Sequence, residues 1–221
     1  MTEQVERPSP HPFLQGRERE VGDLADAVRR LAELTVVSGA PPEVLSEVVA
    51  HLRSAVSQLE DHVPDEVPPR FFTGTPVDGA DAASMHDAMP FDMVIGRFNP
   101  LAPPLQILLD PPMATGRALF SRAYEGAPGW VHGAAIAAAF DIVLTAANHL
   151  RGAAGPTVRL TLRYRRPTLL DRESFFESWV EEVRGKRVVS KGRLLQDGVV
   201  KVEAEGEFVV ATAAAGDRLS G

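Results

Sequence analysis

The chain contains no cysteine in its 221 residues. That absence excludes disulfides, a thiolate nucleophile and a zinc site built on cysteine. A basic surplus is also lacking: 23 Lys and Arg face 30 Asp and Glu, for a net charge of −7 at pH 7. Without a pervasive basic surface, nucleic acid is excluded as the main partner. No apolar run is long enough to span a bilayer; the most apolar, 131–147, falls short and carries Asp141. Met1 to Pro12 is polar and proline-bearing and does not read as a secretory signal. These absences predict a soluble, cytoplasmic protein. The hydrophobic fraction is 44%, enough for a core, and the length suits one domain with an extension.

The pattern divides the chain into five parts. Residues 1–16 read as a flexible tail. In 17–60, Val21, Leu24, Ala25, Val28, Leu31 and Ala32 recur at helical spacing. A break at Gly39–Pro42 follows, and Leu45, Val48, Val49, Leu52, Ala55, Val56 and Leu59 repeat the spacing. Two amphipathic helices with a short break predict a helical hairpin that covers the main domain, a partner subunit or a substrate tunnel. Residues 61–94 form a proline-rich connector; ten of the eighteen prolines lie within 61–115, which predicts no regular helix there. Residues 95–212 carry the main domain, and 213–221 a second flexible tail.

Within that domain, Gln106–Leu109 and Ala118–Tyr124 read as strands, and about 131–150 as one long helix. The pattern then changes to period two. Val158, Leu160, Leu162 and Tyr164 face one side, and Thr157, Arg159, Thr161 and Arg163 the other. Phe175–Val183, Arg187–Gln196 and 200–210 continue as strands, with Asp197-Gly198 as a two-residue hairpin signal. Since no other helix follows, an α+β domain with an antiparallel sheet covering one buried helix is expected.

The chemistry concentrates at Gly126-Ala127-Pro128-Gly129-Trp130-Val131-His132-Gly133. Glycines and a proline make a tight turn, and a helix starts directly after it. The helix start presents unpaired N–H groups and a positive dipole end beside His132. Further along the alanine-rich run stands one acid, Asp141. Its neighbours Phe140, Ile142 and Val143 predict a desolvated carboxylate, a stronger base. A polarising helix start plus an acid suits ester hydrolysis. Asp141 would act as a general base on water or as a nucleophile, and spacing does not choose between them.

Tyr124-Glu125-Gly126-x-Pro128-Gly129-x-Val131-His132-Gly133, then Asp141, Thr157 and Tyr164-x-x-Pro167, resemble the hotdog-fold acyl-CoA thioesterases. The likeness is to the phenylacetate-pathway type with a His-Gly-Gly helix start, and spans about 95–210. It implies a sheet wrapped around one long helix. It assigns the oxyanion donor to the Gly133 N–H, the hydrolytic acid to Asp141, and a hydroxyl that places water or the acid to Thr157. Ala134 stands at the second glycine of the motif, lining the substrate site. Gly126 stands where some relatives carry asparagine.

His132 and Asp141 are nine residues apart, so a helix separates them by about 13 Å and points them to opposite sides. One helix cannot bring both ends to one reacting carbon. If Gly133 and Asp141 serve one site, two subunits share it, as the resemblance also implies. A homo-oligomer, dimer or tetramer, with sites at the subunit interface is therefore expected. His132 is a candidate catalytic residue, against the reading that a histidine at a helix entry only hydrogen-bonds backbone. Thr157 is equally open between site and sheet.

Residues 157–193 carry ten basic and five acidic side chains. Arginines bind phosphates well, and coenzyme A carries several. Arg165, Arg166, Lys186 and Arg187 are the candidates for that contact, against a merely solvated sheet face. No metal and no cofactor are expected, beyond the coenzyme A carried by the substrate. The competing functions are a non-catalytic acyl-CoA-binding module and an enoyl-CoA hydratase or dehydratase on the same fold.

Overall fold

The computed structural model describes residues 11–67 and 82–210. The C-terminal tail 213–221, the first ten residues and the connector stretch 68–81 lie outside the described residues. The chain runs α1 (Glu18–Val37), α2 (Pro42–Glu60), α3 (Ala82–Ala88), β1 (Leu105–Asp110), β2 (Met113–Leu119), α4 (Gly133–Leu150), β3 (Thr157–Tyr164), β4 (Glu173–Arg184), β5 (Arg187–Gln196) and β6 (Val199–Val209). The six strands form one antiparallel sheet in the order β1-β2-β4-β5-β6-β3. The expected α+β architecture is therefore present, with α4 packed in the concave face of the sheet.

Alanine-rich α4 has high intrinsic helicity and little side-chain bulk. It ends at Arg151, and Gly152 follows at φ +61°, the left-handed stop that glycine tolerates. Phe140, Val143, Leu144 and Ala147 are fully buried against Phe176, Val188, Leu194, Val202 and Phe208. Phe140 and Phe176 meet edge to face at 5.2 Å. Glycines on the sheet permit the approach. A Cβ at Gly192 would lie 2.8 Å from the Glu177 carbonyl oxygen and 3.3 Å from Leu144 and Phe140. The buried Ser178 hydroxyl ties helix to sheet by donating to the Val143 carbonyl at 2.7 Å. By length and composition α4 would suit a membrane span, but half of it is buried inside the sheet, as in a core helix.

Several expectations need correction. The second strand is Met113–Leu119, and 122–124 form a 3-10 turn. Met-Ala-Thr-Gly-Arg has weak strand propensity, yet pairing with β1 and β4 on both sides imposes the conformation. The connector does hold a helix, α3, in the proline-free stretch before Pro90. Its end and the following turn are part of the core: Met85, Val94 and Ile95 are buried there. The Asp92 carboxylate holds that turn by accepting the N–H groups of Val94 at 2.7 Å and Ile95 at 3.2 Å. Residues 11–16 are not a loose tail, since His11 and Leu14 are buried. The two N-terminal helices have the expected bounds and follow one another across the short break 38–41. α1 packs on the 122–124 turn, and Arg29 donates to the carbonyls of Arg97 at 2.8 Å and Asn99 at 3.1 Å. α2 buries none of its residues.

Gly192→Ala tests the close approach of helix and sheet. Overpacking against a backbone carbonyl predicts a loss of about 1–3 kcal/mol, read as a lower urea midpoint. An unchanged midpoint contradicts the packing described.

Candidate active site

The turn before α4 is held at both ends. The N–H of Gly126 reaches the Trp130 carbonyl at 2.9 Å, and that of Trp130 the Ala127 carbonyl at 2.8 Å. The Glu125 carboxylate accepts the Gly129 N–H at 2.6 Å and an Arg122 N–H at 2.9 Å. The Gly129 bond, and Arg122 after it, hold the Glu125 carboxyl below its ordinary value near 4.5. Val131 and Leu170 lock this turn to the loop before β4, through the Thr168 and Gly129 carbonyls at 2.8 and 3.1 Å.

His132 is the N-cap of α4. Its Nδ1 accepts the Ala134 N–H at 3.0 Å, which leaves the neutral ring's proton on Nε2. This bond separates the two motif amides. That of Ala134 is occupied. That of Gly133 has no hydrogen-bond partner among the described residues, and it opens the helix at the positive dipole end. Tyr164 closes over the same turn, its hydroxyl donating to the Gly133 carbonyl at 2.9 Å. Burial pushes the Tyr164 phenol up, so it remains a donor at neutral pH. The ring also fills the space beside Gly133: a Cβ there would lie 3.0 Å from the hydroxyl oxygen.

Asp141 is eight residues further along α4, about 12 Å by helical rise. Within one chain, then, Gly133 and Asp141 do not meet. Asp141 is half-buried rather than enclosed. Helical rotation sends Phe140, Ile142 and Val143 into the core and leaves Asp141 on the side toward β3. There the Thr157 hydroxyl donates to its Oδ1 at 2.7 Å.

That contact corrects the strand alternation. A regular period of two puts Thr157 on the outer face with Arg159. The ladder instead shifts between Thr157 and Arg159: Thr157 pairs with inward-facing Phe208, and Arg159 with Glu207. Val158 is the extra residue of a bulge, which turns Thr157 inward onto Asp141. Thr157 and Tyr164 thus end one edge strand, the first on Asp141 and the second on Gly133.

The basic candidates separate into two places. Arg165 and Arg166 follow Tyr164 at one end of β3. Lys186 and Arg187 lie at the β4–β5 turn near the other end, where Arg187 pairs with Val209 and the Val209 N–H reaches Pro156. Arg165 donates twice to Glu203, at 3.0 and 2.7 Å, and Arg187 is 3.9 Å from Glu207. Arg166 contacts the Val200 carbonyl at 3.4 Å. Among the described residues, Arg166 and Lys186 make no ion pair. Much of the local basic surplus is neutralised on the outer sheet face, by pairs such as Lys191–Glu181 at 3.1 Å. No cluster of three or more potential metal-ligating His, Cys, Asp or Glu side chains occurs among the described residues. Tyr164 and Glu125 were visible only as motif letters; their contacts depend on the folded turn.

Residues 128–203 match the sequence pattern of the thioesterase superfamily. A crystal structure of a thioesterase superfamily protein is 32% identical to the chain, with a TM-score of 0.74. The alignment covers 86% of this chain and 90% of that one. The chain belongs to the thioesterase superfamily. It is a hydrolase of thioester bonds, on the hotdog architecture. Shorter likenesses extend to zebra fish thioesterase superfamily member 2, at 16% identity and a TM-score of 0.46 over 49% of this chain and 82% of that one. The PaaI protein of the E. coli phenylacetic acid degradation operon is 14% identical, also at 0.46, over 49% and 80%. The sequence matches no curated protein.

The Glu125 contact has a pH signature in this enzyme. A carboxyl held below its ordinary value stabilises the turn fully above that value and loses its contribution as pH falls through the folded one. Amide exchange at Gly129 is expected to accelerate on acidification below about 4.5, relative to the intrinsic rate. In Glu125→Gln it should show no such step. Equal profiles for the two proteins contradict the turn's dependence on the carboxylate.

Proposed function

We propose that this thioesterase hydrolyses acyl-CoA in sites shared by two subunits of a homodimer, the Gly133 N–H of one facing Asp141 of the other. The observation that carries this is the Asp141–Thr157 hydrogen bond at the end of an edge strand whose far end covers Gly133. Among the described residues β3 pairs only with β6, so its outer edge is open to a second copy. Two β3 strands joined antiparallel about a two-fold axis near their middle put Thr157 opposite Tyr164 of the partner subunit. Asp141 then approaches the partner's Gly133. The same operation brings Lys186 and Arg187 toward Arg165 and Arg166 of the partner subunit. Four cations in two distant pairs thereby become one basic rim suited to the phosphates of coenzyme A.

In this site the thioester carbonyl oxygen accepts the Gly133 N–H, the amide left over once His132 has capped Ala134. Thr157 holds one carboxylate oxygen of Asp141 and leaves the other for chemistry. As a base, Asp141 takes a proton from water while the water oxygen bonds to the carbonyl carbon. As a nucleophile, its oxygen bonds to that carbon and forms an anhydride, which water then opens. In either route the C–S bond breaks with its electron pair on sulfur, and the thiolate of coenzyme A leaves and is protonated. Charge on the carbonyl oxygen grows in the transition state, where the helix-start amide stabilises it most.

A chromogenic thiol assay with acyl-CoAs of several chain lengths tests the assignment. Asp141→Asn is expected to lower kcat by at least ~10²-fold while ligand binding persists. Thr157→Val should cost less. Gly133→Pro deletes the proposed donor at a first-turn position where proline is tolerated, and His132 at φ −63°, ψ 135° already has the conformation a following proline requires. It should lose about 10²–10³-fold, whereas Gly133→Ala, with the same Cβ and an intact N–H, should lose far less. Full thiol release by Asp141→Asn, or equal losses in the proline and alanine variants, refutes these catalytic roles. Binding without thiol release by the wild type points to a binding module, and water addition without it to a hydratase.

A further inference from the structure

Among the described residues, none covers helix α2. All 19 of its residues are exposed, in a helix that carries four valines. Valine is a poor helix former, and a lone helix of this length and composition is not stable in water. Yet its surface is patterned. Leu45, Val48, Leu52, Ala55 and Leu59 recur at alternating steps of three and four, the seam of a coiled coil. The positions flanking that seam hold no Asp, Glu, Lys or Arg. In a chain of net charge −7, this is a face on which two copies meet without repulsion. α1 carries an apolar stripe of its own, with Leu24 and Val28 exposed, while the helix is anchored on the 122–124 turn.

We propose that α2 pairs with α2 of a second copy of this chain, flanked by the α1 helices, as an association surface separate from the β3 edge. Size favours using both helices. A 19-residue helix is about 28 Å long and about 10 Å wide, so an α2 pair alone covers only about 560 Å². Adding α1 from each copy brings the total to about 1,100 Å², close to the ~1,200 Å² at which stable interfaces begin. The proposal does not depend on the catalytic assignment, and Asp141→Asn is not expected to affect it.

The absence of native cysteine makes a direct test clean. Leu52→Cys and Ala55→Cys introduce single thiols near the middle of the seam, and Ser57→Cys places one on the opposite side. Mild oxidation followed by a non-reducing gel reads covalent dimers. Sedimentation equilibrium compares the wild type with Leu45→Glu/Leu52→Glu, whose thermal midpoint reports that the buried core remains folded. The expected result is cross-linking at a seam position and not at Ser57→Cys, together with at least ten-fold weaker association in the glutamate variant. Unchanged association overturns the proposal, and so does weakened association without seam-selective cross-linking.

Discussion

The hydrogen bond between Thr157 and Asp141 joins the only acid of the central helix to the open edge of the sheet. It requires two independent features. One is the rotation of α4, which keeps Phe140, Ile142 and Val143 in the core while Asp141 stays toward β3. The other is the bulge at Val158, without which the Thr157 hydroxyl would lie on the outer face. The first depends on how deeply α4 sits in the sheet. Glycine at 192 and the Ser178 bond to the Val143 carbonyl set that depth.

At the other end of the same helix, capping chemistry sorts the amides. A histidine ring nitrogen is a compact acceptor that reaches the second helical residue and no further. Of the two amides at the helix start, that of Gly133 is therefore left without a partner among the described residues, on a turn where the Gly126, Trp130 and Val131 donors meet backbone carbonyls and the Gly129 donor meets Glu125. Rigidity of this kind suits a donor that must await charge rather than reorganise toward it. The separation of this amide from Asp141 follows from helical rise alone.

The long helix, the later strands and the Asp197-Gly198 turn were legible because periodicity and turn chemistry are local signals; both turn residues have positive φ, at +52° and +73°. So was the motif around His132, which depends on helix-start chemistry. Three features were not. β2 is imposed by neighbours on both sides of a segment with little strand preference. The orientation of Thr157 was misread because a bulge inserts one residue without a signature in composition. The core position of 85–95 was hidden by prolines, which mark where helices stop but say nothing about what an irregular turn buries. The basic surplus in 157–193 illustrates a different limit: charges counted along the chain cannot reveal that Arg165 and Lys191 are already paired across strands.

The central claim, one site built from two subunits, is tested most directly by mixing two impaired proteins. Gly133→Pro and Asp141→Asn homodimers each lack one half of every site. After dissociation and reassociation together, a heterodimer holds one site with both halves sound and one with neither. Random mixing then predicts recovery of about one quarter of wild-type thiol release. If the mixture is no more active than the two variants assayed apart, although heterodimers have formed, Gly133 and Asp141 do not serve a common site across the interface.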